Sequence, residues 1–466
     1  MGIDLFAWVG PLSALQAGDT GVTEIVVKLL IGLAIILLVA KAAGEVATRY
    51  LKLPPVLAEL GAGIAIGPFA LGGIEVFGFG PLFPIPVVDG QPAVIPVSNE
   101  LWALAQIGSV VLLFAIGLET NLKQFLRYAG PATAVAIGGV VLPFVFGVGA
   151  TVLFGFAGDD GIFSPEALFM GAILTATSVG ITARVLADLN RLDAAEGVTI
   201  IAAAVVDDVL GILVLTVVVG LSTAEHFSVG ALGVVGAKAI GFWLGLTVVG
   251  ILAAPYIDRA IARFRTQGAA LVLTLALAFL AAGLAEVFGL AFIIGAFSIG
   301  LALSTTDLAH RVEQDLRGIT DLLVPVFFVV MGMLVDVNSM LNALVFGLII
   351  TAIAILTKVV GSGGPALVSG FNWRGGARVG VGMMPRGEVA LIIAGIGLAE
   401  GLIGQNLFGV SILMTVITTL IAPLLLIPLF SRGGSGVIGG EPSIESSRPA
   451  SGSSPQLAEE DSGDEA

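Results

Sequence analysis

A chain of 466 residues that is 57% hydrophobic and only 12% charged is too apolar for a water-soluble domain. The absence of Cys excludes disulfides and thiolate metal centres, and the net charge of −14 argues against nucleic acid as a partner. The two histidines, His226 and His310, both fall in expected loops and read as solvated side chains.

Residues 1–23 form a short segment without the basic start of a cleaved signal peptide. Apolar stretches of about twenty residues then recur along almost the whole chain, which predicts an all-α polytopic membrane protein. Thirteen spans are expected, at roughly 24–50, 55–74, 103–119, 129–157, 167–188, 196–222, 229–256, 268–287, 289–304, 319–337, 341–369, 377–400 and 406–430. The 64 glycines fit this class, because Gly lets membrane helices approach closely and unwind locally. Residues 431–466 read as a disordered polar tail that carries seven acids in its last 26 residues.

The connecting segments test the count. Arg49, Lys52, Lys123, Arg127, Arg184, Arg191, Arg259, Arg263, Arg265, Arg311, Arg317, Arg374, Arg378 and Arg432 all fall to one side of the membrane. The opposite side, with segments 75–102 and 158–166, holds no Lys or Arg. Such a bias places the basic side in the cytoplasm, with the N-terminus outside and the tail inside a cell membrane.

Two pieces of sequence echo each other. GAGIAIGP (61–68) resembles GAFSIGLAL (295–303), and LLFAIGLETNL (112–122) resembles FFVVMGMLVDV (327–337). If the halves 24–222 and 268–430 are related, the odd span 229–256 between them inverts the second copy. An inverted-topology repeat of this kind marks secondary transporters with a site at the bilayer midplane.

Charges within the spans are the chemical signal. Lys28, Lys41 and Lys238 lie toward helix ends, where a long stem reaches the interface. Glu119 and Asp336 end their spans and read as solvated or cap-like. Asp207 and Asp208 instead sit side by side at the centre of IIAAAVVDDVLGILVLTVVV. One carboxylate at a helix centre costs about 2.5–3.5 kcal/mol on insertion scales. Two in contact form a pair whose protonation is coupled. Adjacent helical residues point about 100° apart, so one acid can face an ion pathway while the other faces a neighbouring helix. Lys358, deep in its own span, requires a carboxylate partner, and the repeat brings its helix to the same core; Asp207–Lys358 is the expected ion pair.

Two spans look broken. Thr175, Thr177, Ser178 and Gly180 interrupt GAILTATSVGITARVL, while Pro385 and Gly387 break VGVGMMPRGEVALIIAGIG, where Arg386 and Glu388 add charge at the helix ends. The breaks occupy corresponding positions in the two halves. Backbone groups freed in this way must line a cavity or find partners, and half-helix ends supply dipoles and carbonyls to ions.

ATSVGITARVL (176–186), followed by VVDDVLGILVL (205–215) and by Lys358 in a later helix, resembles the monovalent cation:proton antiporters of the NapA and Kef type, over roughly residues 24–430. The resemblance implies thirteen helices arranged as a six-helix core and a dimerisation scaffold, with the two broken helices crossing near the site. It implies that Asp208 binds the cation, that Asp207 pairs with Lys358, that exchange is electrogenic, and that the core moves like an elevator against a homodimer interface. Kef-type systems add a nucleotide-binding domain, whereas here an acidic tail follows without a strand–GxGxxG–helix unit.

The expected activity is therefore exchange of Na⁺ for protons, with no cofactor and no covalent chemistry. Asp208, helped by oxygens of Thr175, Thr177 and Ser178, would take a cation or a proton, never both. K⁺/H⁺ exchange is the nearest alternative, and cavity size would decide it. A channel would leave the repeated breaks unexplained. An intramembrane aspartyl protease needs its acids on two facing helices, which adjacent aspartates cannot provide.

Overall fold

The computed structural model describes residues 20–439 except 52, 76–79, 89–90, 94, 158–159, 223–228 and 337–343. His226, most of the N-terminal segment and the acidic end of the tail thus lie outside the described residues. Within them the chain is helical, apart from one antiparallel pair of two-residue strands, β1 (Val87–Val88) and β2 (Gln91–Pro92), in the segment before the third span.

The helices are α1 (Thr20–Val46, continued by a π-helical turn to Leu51), α2 (Pro55–Ile66), α3 (Asn99–Glu119), α4 (Leu122–Leu153), α5 (Pro165–Thr175), α6 (Val179–Asp188), α7 (Ala195–Ser222) and α8 (Val229–Ile261). They continue with α9 (Ala269–Val287), α10 (Phe292–Leu303), α11 (Asp307–Met333), α12 (Leu344–Val368), α13 (Trp373–Gly382), α14 (Glu388–Ala399) and α15 (Gln405–Ser431). With α5–α6 and α13–α14 each counted as one broken span, these are the thirteen expected crossings. Eleven are long and apolar enough to cross a membrane by themselves; α10 and α14 are shorter apolar helices.

Local chemistry sets the ends. Ser98, Asn121 and Ser164 accept hydrogen bonds from backbone N–H groups of the first turns of α3, α4 and α5, and Pro occupies the first turn of α2 and α5. The greatest departure from the expected bounds is α11, which begins at Asp307 rather than near 319. Its first turns carry Arg311, Glu313, Asp315 and Arg317, so hydropathy hides a helix that projects beyond the apolar layer.

The second half packs as the first half does. α2 lies on α11 as α10 lies on α3, α1 packs on α2 as α9 packs on α10, and α7 packs on α4 as α15 packs on α12. The backbones touch through glycine. A Cβ on Gly332 would strike the carbonyl of Leu60 and Gly63, and one on Gly300 would strike the carbonyl of Phe114 and Gly117. Gly117 and Gly332 are equivalent, as the second echo aligns them. In the first echo Gly63 falls opposite Phe297, yet in the structure its counterpart is Gly300. The letters identify the right pair of helices one turn out of register. The result is a predominantly helical, inverted-repeat architecture.

Two groups of helices emerge. α4–α7 and α12–α15 surround the crossed breaks, and α1–α3 with α8–α11 form the other body. In its most apolar stretch the broken span Pro165–Asp188 is 94% buried, whereas Gly233–Ile261 is 11% buried and α1 is 17% buried. The breaks are therefore central, and α1 and α8 carry the apolar outer surface. Lys28, Lys41, Lys238 and His310 are exposed, and Lys28 bridges to Glu24 at 2.7 Å.

Residues 432–439 differ from the sequence expectation. They fold back on the core rather than opening the tail. Arg378, read from sequence as a loop residue, is buried in α13 and donates from Nη1 to Glu196 Oε1 at 2.6 Å. Its guanidinium also donates to the carbonyls of Leu429, Gly433 and Gly434, and it stacks over Phe430. The side-chain amide of Asn372 donates to the Ser435 carbonyl, and Ile438 N–H donates to the Gly370 carbonyl. Arg378→Gln strands a buried carboxylate on Glu196 and is expected to cost about 3–5 kcal/mol. The check is a lower apparent melting temperature in detergent, with the loss largely recovered in Arg378→Gln/Glu196→Gln.

Candidate functional site

The two breaks face each other. Ala176–Ser178 separate α5 from α6, and Met383–Gly387 separate α13 from α14. Ser178 N–H donates to the Pro385 carbonyl at 2.8 Å, Thr182 Oγ1 to the Gly382 carbonyl at 2.9 Å, and Thr177 Oγ1 to the Met383 carbonyl at 3.2 Å. Gly387 is required at this crossing, since a Cβ there would meet Ser178 Cβ and Oγ at 2.9 and 2.8 Å. Gly180, expected in the first break, lies instead in the first turn of α6, where it packs on Phe327.

Breaking a helix leaves carbonyls exposed at the C-terminal end of its first half and N–H groups at the start of its second. Cations cover the carbonyl end of α5. Arg386, fully buried, donates from Nη2 to the carbonyls of Leu174 and Ala354 and from Nη1 to that of Met384. Thr419 Oγ1 in turn donates to the Arg386 carbonyl. Glu388 sits in the first turn of α14, where its negative charge complements the N-terminal dipole.

Lys358 reaches the same place from α12. Its Nζ lies 2.9 Å from Asp207 Oδ1, 2.6 Å from the Thr175 carbonyl and 2.8 Å from the Gly139 carbonyl, with both side chains of the ion pair buried. An ammonium has three donors, and all three are used. The approach depends on Gly139, because a Cβ there would run into Ser362 Oγ and lie 3.5 Å from Lys358 Nζ.

Asp208 points elsewhere. Its neighbours in charge are Asp207, Glu388 and Lys358, and its Oδ2 accepts no hydrogen bond. Asp207 Oδ2, Ser178 Oγ and Glu388 Oε2 are likewise buried without hydrogen-bond partners. Unpartnered oxygens in a buried place are costly and suit a ligand that comes and goes. Of the hydroxyls expected to help Asp208, that of Thr175 is turned onto the Ala172 carbonyl of its own helix, and the Thr175 carbonyl is taken by Lys358. Thr177 spends its proton on the other broken helix and faces Asp207. The structure therefore puts Thr175 and Thr177 with the Asp207–Lys358 pair and leaves Ser178 as the free hydroxyl.

The breaks are not equally covered. α6 meets α2 and α3, whereas α14 is separated from α3 and the end of α11 by a cavity of about 250 Å³ lined by Trp102, Leu334, Leu391, Ile392 and, as its one charged residue, Glu388. Its lining extends to Ile95, Trp102 and Ala399, toward the face opposite the basic segments.

Two groups of buried charges escaped the sequence reading. Glu196 was overlooked because its partner is 182 residues away. Glu59 in α2 is an acid inside an apolar span, the same signal that marked Asp207 and Asp208, and it is buried.

A family profile described as sodium/hydrogen exchanger, transmembrane, matches residues 30–432. The chain is 38% identical over 418 residues to the high-affinity Na⁺/H⁺ antiporter NhaS3 of Synechocystis, covering 84% of this chain and 88% of that protein. It is 36% identical over 392 residues to the Na⁺/H⁺-K⁺ antiporter GerN of Bacillus cereus, covering 84% and 93% respectively. In fold it is similar to the sodium proton antiporter MjNhaP1 of Methanocaldococcus jannaschii, with a TM-score of 0.63 at 19% identity over 88% of this chain and 98% of that one. With crossed breaks, an acid pair at their centre and a family match over most of its length, the chain belongs to the sodium/hydrogen exchanger family.

Proposed function

We propose that this protein is a secondary antiporter that exchanges Na⁺ for protons by alternating access, a transporter rather than an enzyme. The observation that carries the reading is that one aspartate of the adjacent pair is tied to a lysine and the other is not. Asp207 is bound through Oδ1 to Lys358, whereas Asp208 makes no ion pair or hydrogen bond among the described residues and has Glu388 as a neighbouring charge. The relatives named above as Na⁺/H⁺ antiporters support Na⁺ as the cation.

Asp208 can hold a proton or a cation, and either one neutralises it. Occupied, it crosses the apolar barrier at low cost; empty and charged, it does not, because desolvation of a bare carboxylate is too expensive. Exclusion of the empty state couples the two fluxes. Hard oxygen ligands from Asp208 and Ser178 suit a small cation. Lys358 supplies a second titratable charge, which supports electrogenic exchange with more protons moved than cations. The basic segments support a cytoplasmic position for α6's far end and a plasma-membrane protein with its N-terminus outside. On that orientation the cavity beside α14 extends outward. The lightly buried α1 and α8 supply a surface for a homodimer.

The test is purified protein in liposomes. A Na⁺ jump on one side is expected to drive a pH change of opposite direction, at a rate that responds to an imposed potential. Cation movement without opposing proton movement would refute antiport. The GerN name, which includes K⁺, favours a second reading in which K⁺ is also carried; comparing Na⁺, Li⁺ and K⁺ jumps in the same vesicles separates the two.

A further inference from the structure

Glu59 is 3% exposed, and its Oε2 accepts no hydrogen bond. It belongs to α2, a helix of the outer body that packs on α6 of the core. The charges that face it are Arg184 and Asp188 from α6 and Lys41 from α1. Arg184 is held on its own helix, with Nε 3.2 Å from Asp188 Oδ1, and that nitrogen makes no well-aligned hydrogen bond. A buried acid of one body thus faces an arginine of the other across the seam that is shut in this conformation, while the cavity lies in the opposite seam beside α14.

We infer that Glu59 and Arg184 form an electrostatic latch across the α2–α6 seam, which holds the transporter in the conformation closed on the α6 side. Glu59 is a positioning residue: it touches neither cation nor proton in transit. To open the α6 side, α6 has to leave α2, and the attraction between the two charges resists that separation. Asp188 competes with Glu59 for the same guanidinium and keeps the latch reversible. A charge that stabilises one of two conformations shifts their populations, so its loss changes apparent cation affinity in opposite senses on the two faces. The inference rests on the alternating-access reading above, and exchange by the unaltered chain in the same vesicles tests that reading separately.

The experiment measures the half-saturating Na⁺ concentration from each face of oriented vesicles for Glu59→Gln, Arg184→Gln, the double variant and the charge swap Glu59→Arg/Arg184→Glu. Each single variant is expected to raise the value on the α14 face and lower it on the α6 face, by about fivefold each. The double variant is expected to be no worse than either single, and the swap to return toward the unaltered chain. Independent, multiplying effects with no recovery in the swap would overturn the latch, as would equal changes on both faces. Because the chain has no Cys, Glu59→Cys/Arg184→Cys gives a check that does not depend on the swap folding. Joining the two thiols with a short cleavable reagent is expected to stop exchange until it is cleaved, and undiminished exchange with the bridge in place would also overturn the inference.

Discussion

Asp208→Asn is expected to lower Na⁺-driven proton movement at least a thousandfold, about 4 kcal/mol in the coupled cycle, without loss of the folded protein. The amide keeps the shape of the carboxylic acid but can neither release a proton nor offer a full negative charge to a cation. Stability is expected to hold or rise. Oδ2 of Asp208 accepts no hydrogen bond that the substitution could break, and an acid crowded by Asp207 and Glu388 is replaced by a neutral group. A second signature separates lost binding from lost motion. A cation that binds only the folded protein raises its melting temperature with concentration. Na⁺ is expected to stabilise the unaltered chain in this way and to leave Asp208→Asn unmoved. Glu388→Gln serves as the comparison: it removes a neighbouring charge at a helix N-terminus and is expected to retain exchange. Normal Na⁺-driven pH change in Asp208→Asn would end the assignment of Asp208 as the exchanging carboxylate.

The parts of the fold that were legible in the sequence are those where the bilayer imposes a one-dimensional code. Spans of about twenty apolar residues, the uneven loop charges and the buried Asp207–Asp208 pair each violate or satisfy the solvent locally, so each can be read without knowing a neighbour. The helix of Lys358 could be assigned to the core because the repeat pairs it with α4, a global symmetry that leaves a local trace at Gly117 and Gly332. What depends on side-chain direction was not legible. Nothing in the string TATS says that the Thr175 hydroxyl turns back on Ala172 while its carbonyl goes to Lys358. Nor does it say that Arg386 closes the carbonyl end of α5. Arg378 misled for a related reason: an arginine near a span end is indistinguishable by composition from a loop arginine until Glu196 and residues 433–434 appear around it. The polar half of α11 was missed because hydropathy detects the membrane rather than the helix.

The second large effect concerns Lys358. Replacing it with Gln is expected to destabilise the protein by about 3–5 kcal/mol, because Asp207 is left buried and unpaired. The carbonyls of Gly139 and Thr175 lose their donor in the same step. Asp207→Asn/Lys358→Gln is expected to recover most of that loss, since no unpaired charge then remains. The same geometry ties the lysine to charge movement. A neutral amine has two N–H donors, so an ammonium that gives up its proton must release one of its three acceptors. The acceptor contributed by α5 is the Thr175 carbonyl, at the end of the broken half-helix, so the charge of Lys358 and the seating of the break change together. One net charge crossing the membrane per cycle is worth about 2.3 kcal/mol per 100 mV. Exchange by the unaltered chain is therefore expected to respond steeply to potential. In Lys358→Gln the proton carried by the lysine is gone and Asp208 alone exchanges, one cation for one proton. Exchange is expected to persist at a reduced rate and to change less than about twofold over the same 100 mV, where a full unit charge would give about fiftyfold at equilibrium. Retention of the full voltage response in Lys358→Gln, measured in liposomes with a clamped potassium diffusion potential, would show that the second charge is carried by another group.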